Sequence, residues 1–323
     1  MRTTAGPCLT SRSVSHSPAT RGLAIFPRRP KTCVTRHDVA LRRCLAACLV
    51  LVVSALVTAQ QRPERIVSIV PSLTETLFAI GAGPQVVGVG SFDTHPEEVA
   101  TRPRVGGLID PDMERIFALR PDLVILHGSQ QDQIQQLTRA AIPVFSYTHG
   151  GLADTLSVIR ELGARTGHAT EAERVASEIE EQLADVRART AGRTRPRVLL
   201  VFGREPRSLR NIYASGGFGF LHDMLEAAGG DNVFADVQRE SVQLTSEAIL
   251  TAAPDVIIEL TYDDRMTPDN QASEIAVWNR LPVIPAVRNG RVHLLLGNQF
   301  VVPGPRLAEA TAAIAHALHP DAF

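Results

Sequence analysis

The chain has 323 residues, enough for one or two domains, and carries 33 Lys/Arg against 34 Asp/Glu. That balance conceals a split, because residues 1–59 hold nine basic residues and one Asp, leaving 24 basic and 33 acidic residues and a net charge of about −9 beyond them. A body of that charge argues against a nucleic-acid or anionic-membrane surface. All four cysteines (Cys8, Cys33, Cys44, Cys48) also lie in the first segment, so the rest of the chain has neither disulfides nor thiol chemistry.

Residues 1–43 are rich in Arg, Ser and Thr and end in Arg42-Arg43. An apolar run of about fourteen residues follows, CLAACLVLVVSALV, closed by Val57-Thr58-Ala59 before Gln60. It is shorter than the roughly twenty residues a membrane helix needs. The segment therefore reads as a secretory signal cleaved near Ala59/Gln60, which places the mature protein in the periplasm. A complete signal begins near Val39, so the true start of translation is expected there. Leu45-Ala46-Ala47-Cys48 has the form of a lipobox, but most of the apolar segment follows Cys48 rather than preceding it.

Beyond the leader, RIVSIV (residues 65–70) reads as a strand ended by Pro71-Ser72, and a helix is predicted over 74–80, stopped by Gly81-Ala82-Gly83. VVGVG (86–90) is a second strand and opens onto Ser91-Phe92-Asp93-Thr94-His95-Pro96. Asp112 caps the next helix, Pro121 ends it, and the continuous apolar run 123–126 predicts a strand buried on both faces. A helix over 131–140 and a strand over 143–147 complete a parallel, right-handed, doubly wound half.

Two helices follow with no strand between them, over 154–166 and 170–191. The second has an apolar stripe of Val175, Ile179, Leu183 and Val186 and acidic residues elsewhere, so it reads as one long amphipathic connection. The second half repeats the plan. It has a strand over 197–202, a glycine-rich turn at Ala214-Ser215-Gly216-Gly217, a helix over 218–228, a helix carrying Glu247, strands over 255–260 and 292–296, a loop over 297–305 and a closing helix over 306–318.

An internal echo organises this order. MERIFALRPDLVIL is answered 133 residues later by SEAILTAAPDVIIEL, matching Glu114 with Glu247, Ile116 with Ile249, and Pro121-Asp122 with Pro254-Asp255. Upstream, RIVSIV is answered by RVLLVF. Two similar α/β halves follow.

Ligands of open α/β sheets bind beyond the carboxyl ends of the strands, which nominates Pro71-Ser72, Ser91-Phe92, His127-Gly128, residues 147–149 from Tyr147 to His149, Gly203-Arg204, Thr261-Tyr262 and the loop from Asn298 through Gln299 and Phe300 to Val301. These residues suit holding a large ligand better than cleaving one. No nucleophile elbow or phosphate loop occurs, and Gly217-Phe218-Gly219 lacks a third glycine and does not directly follow a predicted strand. His95, His127 and His149 lie near strand ends and are weak metal candidates, since they come from separate loops without tight ligand spacing. Glu114 and Glu247 each sit in a helix first turn, where the macrodipole favours an acid. Their matched slots also present two negative points to a two-fold partner bearing Arg.

RIVSIVPSLTETLFAIG, VVGVGSFDTHP, MERIFALRPDLVIL, NIYASGGFGFLHDMLEAAGGDNVF, SEAILTAAPDVII and VPGPR, in this order over residues 65–320, resemble the periplasmic substrate-binding proteins of ABC importers for cobalamin and ferric siderophores. The resemblance implies two Rossmann-like α/β lobes joined by one long helix, with the ligand in the cleft between them. The expected divisions are a leader at 1–59, a first lobe at 60–168, a linking helix at 169–192 and a second lobe at 193–323. It also implies a monomer without a cofactor that docks transiently on an ABC permease dimer through Glu114 and Glu247. Phe92, Leu108, His127, Tyr213 and residues 298–302 then face a corrinoid-like or iron-chelate ligand, which Phe92, Tyr147 and Phe300 would embrace. NQFVV and Leu108 depart from the aromatic and charged residues of the cobalamin binders. The alternatives are a transition-metal-ion binder of the same architecture and a secreted metal-dependent enzyme using the His set.

Overall fold

The computed structural model describes residues 62–263 and 265–323, so the expected signal, its cleavage site and Cys48 lie outside the described residues. The first sheet holds β1 (Ile66–Ser68), β2 (Val86–Val89), β3 (Leu123–His127) and β4 (Val144–Tyr147), all parallel, in the order β2-β1-β3-β4. Helices α1 (Pro71–Ala79), α2 (Met113–Ala118) and α3 (Gln131–Arg139) connect these strands. Then come α4 (Leu152–Thr166) and α5 (Ala169–Thr190), the latter 22 residues long and so roughly 33 Å.

The second sheet departs from the expected repeat of the plan. Its β5 (Arg197–Gly203), β9 (Val256–Thr261) and β10 (Val292–Leu296) are parallel, but β6 (Ile212–Ser215) and β8 (Ser241–Leu244) run antiparallel, and the order is β10-β9-β5-β6-β8. A short β7 (Asp231–Asn232) also pairs with β5. Ala214 and Ser215, expected in a glycine-rich turn, are strand residues, and the strand ends one residue short of Gly217-Phe218-Gly219. The backbone explains the glycines: a Cβ on Gly216 would come within 2.9 Å of the Val237 carbonyl oxygen, which bars any side chain there. Helices α6 (Phe220–Ala227), α7 (Ser246–Ala252), α8 (Pro268–Ala276), α9 (Pro285–Arg288) and α10 (Leu307–Leu318) complete the second half. Among the described residues no helix is long and apolar enough to cross a membrane.

Alternation along the apolar strands decides the packing. Ile66, Leu123 and Ile125 of the first sheet join Val198, Leu200, Val256 and Ile258 of the second in one apolar cluster that also takes in α4, α5, α6 and α10. Their neighbours Val67, Val124 and Leu126 turn the other way, onto Ile116 and Leu137, and Leu199 and Ile257 turn onto Ile249 and Trp278. Strands buried on both faces are largely apolar, as these runs are apart from buried Ser68 on β1 and Glu259 on β9. The described residues form one compact unit, and the helical layer between the sheets is shared rather than split.

The echo now has a structural meaning. Asp112 and Thr245 cap α2 and α7 by accepting the N–H of Arg115 and Ala248. Both helices are followed by a left-handed residue, Arg120 (φ 49°) and Ala253 (φ 43°), just before the repeated Pro-Asp. Asp122 then accepts the N–H groups of Glu64 and Arg65 at 2.8 and 2.9 Å, and Asp255 accepts that of Arg197 at 3.1 Å. The two arginines close the loop by donating to helix-end carbonyls, Arg65 to Leu119 at 2.7 Å and Arg197 to Ala252 at 2.8 Å. The repeated residues thus lock each helix end to the start of the neighbouring strand.

Candidate functional site

The lip of the first sheet is built on Gly106, whose φ of 87° and close approach to the Asp112 N–H admit no Cβ. The loop it turns displays Ile109, 95% exposed, with Leu108 partly exposed beside it, and Phe92 across from Gly107 is 72% exposed. Gln130 fastens the lip to the strand end, donating to the Leu108 carbonyl at 2.8 Å and accepting the His127 N–H at 2.9 Å.

Behind the lip, the ends of β3 and β4 bring His127, Tyr147 and His149 together. The His149 ring centroid lies 5.1 Å from both His127 and Tyr147, and 6.5 Å from Phe220 at the start of α6. This cluster therefore crosses from one half to the other. Burial pushes the Tyr147 phenol up to about 12. Ser72 beside it pulls the other way, and the charges of Glu240 and Asp154 add to the rise. Ser72 Oγ is buried without a well-aligned hydrogen bond of its own. Burial, helped by His127, holds His149 below the ordinary imidazole range and so neutral. The His127 Nδ1 is occupied by Ser129, whose N–H donates to it at 3.2 Å. His95 lies apart, lining a cavity with Glu75 and Arg306. Among the described residues no group of three or more His, Cys, Asp or Glu is arranged to hold a metal ion.

The second half exposes three aromatic side chains of its own. Tyr213 on β6, Phe218 before α6 and Tyr262 after β9 are all exposed. Phe218 and Ile109 were not singled out in the sequence, although Phe218 sits between two glycines and Ile109 precedes Asp-Pro, settings in which an apolar side chain has little local core to join. Phe300, expected to face the ligand, is only 3% exposed and belongs to the apolar core, as does Tyr147. Val301 packs against that core. Arg204 is likewise committed: its side chain is 2% exposed and pairs with Glu259 at 2.9 Å and Glu274 at 2.7 Å. Asn298 donates to Thr94 Oγ1 at 2.8 Å, and Gln299 faces Arg306.

Glu114 and Glu247 are exposed in the first turns of α2 and α7, and among the described residues neither joins an ion pair. Its own N–H, followed by the Thr245 hydroxyl, holds the Glu247 carboxyl below its usual range, so it is an anion at neutral pH.

Two α/β sheets joined through a shared helical layer define a two-lobed α/β binding protein. A family model described as periplasmic binding protein matches residues 66–297, and the chain belongs to that family. It is 30% identical over 275 residues to an uncharacterized ABC transporter substrate-binding lipoprotein, YvrC, of Bacillus subtilis (strain 168), with 83% of each chain covered. It is 29% identical over 243 residues to the vitamin B12-binding protein of Yersinia pseudotuberculosis, covering 75% of this chain and 83% of that one. Among solved structures, the periplasmic heme-binding protein RhuT from Roseiflexus sp. RS-1 is 28% identical with a TM-score of 0.68, covering 80% of this chain and 99% of that one. The periplasmic vitamin B12 binding protein BtuF of Vibrio cholerae, at 22% identity and a TM-score of 0.68 over 80% of this chain and 97% of that one, shares the fold.

Proposed function

We propose that this protein is the extracytoplasmic solute-binding component of an ABC importer. On this reading it holds a corrinoid-like or iron-chelate ligand between its lobes and hands it to a permease without catalysis, acting as a monomer released by cleavage near Ala59/Gln60. The observation that carries the ligand class is the exposure of large apolar and aromatic side chains in both halves, Phe92, Leu108 and Ile109 in the first and Tyr213, Phe218 and Tyr262 in the second. Such surfaces bury the faces and edges of a flat macrocycle, and aromatic rings supply large contact area at little cost in side-chain order. Relatives that bind vitamin B12 or heme support the same class. The charges favour a ligand edged by neutral amides over one edged by carboxylates, because Arg204 is spent on Glu259 and Glu274 and the acids Glu240 and Asp154 lie nearest Tyr147. Titration calorimetry with cyanocobalamin, dicyanocobinamide, haemin and a ferric catecholate tests this, with the corrinoids expected to bind most tightly. Stoichiometric zinc binding with no macrocycle bound would overturn the reading.

Glu114 and Glu247 are the permease-docking pair on this reading: exposed, anionic and in equivalent slots, they fit two Arg pockets related by a two-fold axis. Glu114→Ala with Glu247→Ala is expected to cut transport by roughly tenfold or more, in line with losing two charge-assisted contacts, while ligand affinity stays unchanged. Transport at the parental rate would remove the docking role.

A further inference from the structure

Two stretches that mark the family resemblance, SLTET and VPGPR, meet in space. Arg306, just before α10, donates to both carboxylate oxygens of Glu75 on α1, at 2.6 and 3.0 Å, across 231 residues of sequence. Glu75 is 4% exposed. The same guanidinium donates to Asn298 Oδ1 at 2.8 Å, and the Asn298 amide donates to Thr94 Oγ1 at 2.8 Å. The chain Glu75–Arg306–Asn298–Thr94 therefore leaves the first half, enters the second and returns.

Its Asn298–Thr94 link ties the loop after β10 to the loop after β2 that displays Phe92. Thr94 is two residues from Phe92, and Asn298 begins the short turn Asn298–Phe300. A cavity of about 220 Å³, lined by Glu75, Phe78, His95, Pro96, Pro305 and Arg306, flanks the ion pair, so side-chain packing does not hold this boundary on its far side. The interface here adds directed polar bonds to the apolar core that Phe300 and Leu307 join beside it.

We propose that Arg306 is a positioning residue, which by clasping Glu75 and Asn298 sets the spacing between loops 92–95 and 298–301 and so the width of the empty cleft. Paired buried charges with all their partners in place resist displacement, because opening the pair strands a carboxylate in a poorly solvated place. The clasp rests on geometry alone, and only its effect on affinity rests on the proposed ligand class.

Hydrogen exchange of the unliganded protein tests the clasp directly. Arg306→Gln is expected to speed exchange about tenfold or more in segments 92–98 and 298–306, while α3 and β9 keep their protection. Glu75→Gln combined with Arg306→Gln is expected to loosen the same two segments without leaving a stranded charge, and Arg306→Lys to restore part of the protection. Unchanged exchange in both loops, or loosening spread evenly over the whole chain, would overturn the proposal. With dicyanocobinamide as probe, Arg306→Gln is expected to weaken binding about tenfold through faster dissociation. If no macrocycle binds the parental protein, the ligand reading fails while the exchange result still decides the clasp.

Discussion

The two halves carry the same helix-Pro-Asp-strand device and differ in what surrounds it. In the first, the sheet is wholly parallel and its outer face packs Val67, Val124 and Leu126 onto Ile116 and Leu137. In the second, two antiparallel strands extend the sheet and a buried polar centre stands beside it, where Arg204 pairs with Glu259 and Glu274 and the Trp278 indole N–H donates to Glu259 at 3.1 Å. A repeated local lock thus leaves each half free to build a different outer face, one packed by apolar side chains and the other also by charge.

The largest expected effect lies in that polar centre. Arg204→Ala strands Glu259, whose carboxyl burial already raises, and is expected to cost about 3–5 kcal/mol in urea denaturation. Trimming a comparable side chain from the all-apolar face, Leu137→Ala, is expected to cost about 2–5 kcal/mol by leaving a cavity. A loss below about 1 kcal/mol for Arg204→Ala would show that the second half does not depend on charge pairing.

Next in size is the pH dependence of the first half. Asp93 is 1% exposed and lies between Phe92 and Thr94; burial pushes its carboxyl up to about 6, with Thr74, the Gly90 backbone and Arg104 offsetting part of the rise. Below about pH 4 both folded and unfolded forms are protonated and Asp93 costs nothing. As pH rises through 6 the unfolded chain has already released its proton, so the folded state loses roughly 2–3 kcal/mol, a loss complete above that pH. Asp93→Asn is expected to flatten this slope and to raise stability at pH 7.5. A variant whose stability falls with pH as steeply as the parent would place the titration elsewhere.

The echo, the parallel strands of the first half and the long helix were legible because periodicity, caps and Pro-Asp punctuation are local signals. Antiparallel β6 and β8 were not, since each spans only four residues and neither forms an apolar run. Phe300 and Phe92 look alike as loop aromatics, and only the packed structure shows that one faces the core and the other solvent. Arg204 reads as a free cation until Glu259 and Glu274, 55 and 70 residues away, are seen to enclose it. The pairing of Glu75 with Arg306 has no local trace at all.

The smallest expected effect tests the echo itself. Arg65 donates to two helix-end carbonyls, those of Leu119 and Arg120, and Asp122 accepts two N–H groups. At the equivalent place Arg197 donates to the Ala252 carbonyl alone and Asp255 accepts one N–H. Each such exposed bond contributes about 0.5–1 kcal/mol net, so Arg65→Ala is expected to cost about 1–1.5 kcal/mol and Arg197→Ala about half of that. Because one apolar cluster links both sheets, each variant should still unfold in a single transition. Equal losses would mean that the two locks are matched in energy and that the halves differ only in their outer faces. A second transition in either variant would show that the shared helical layer does not couple them.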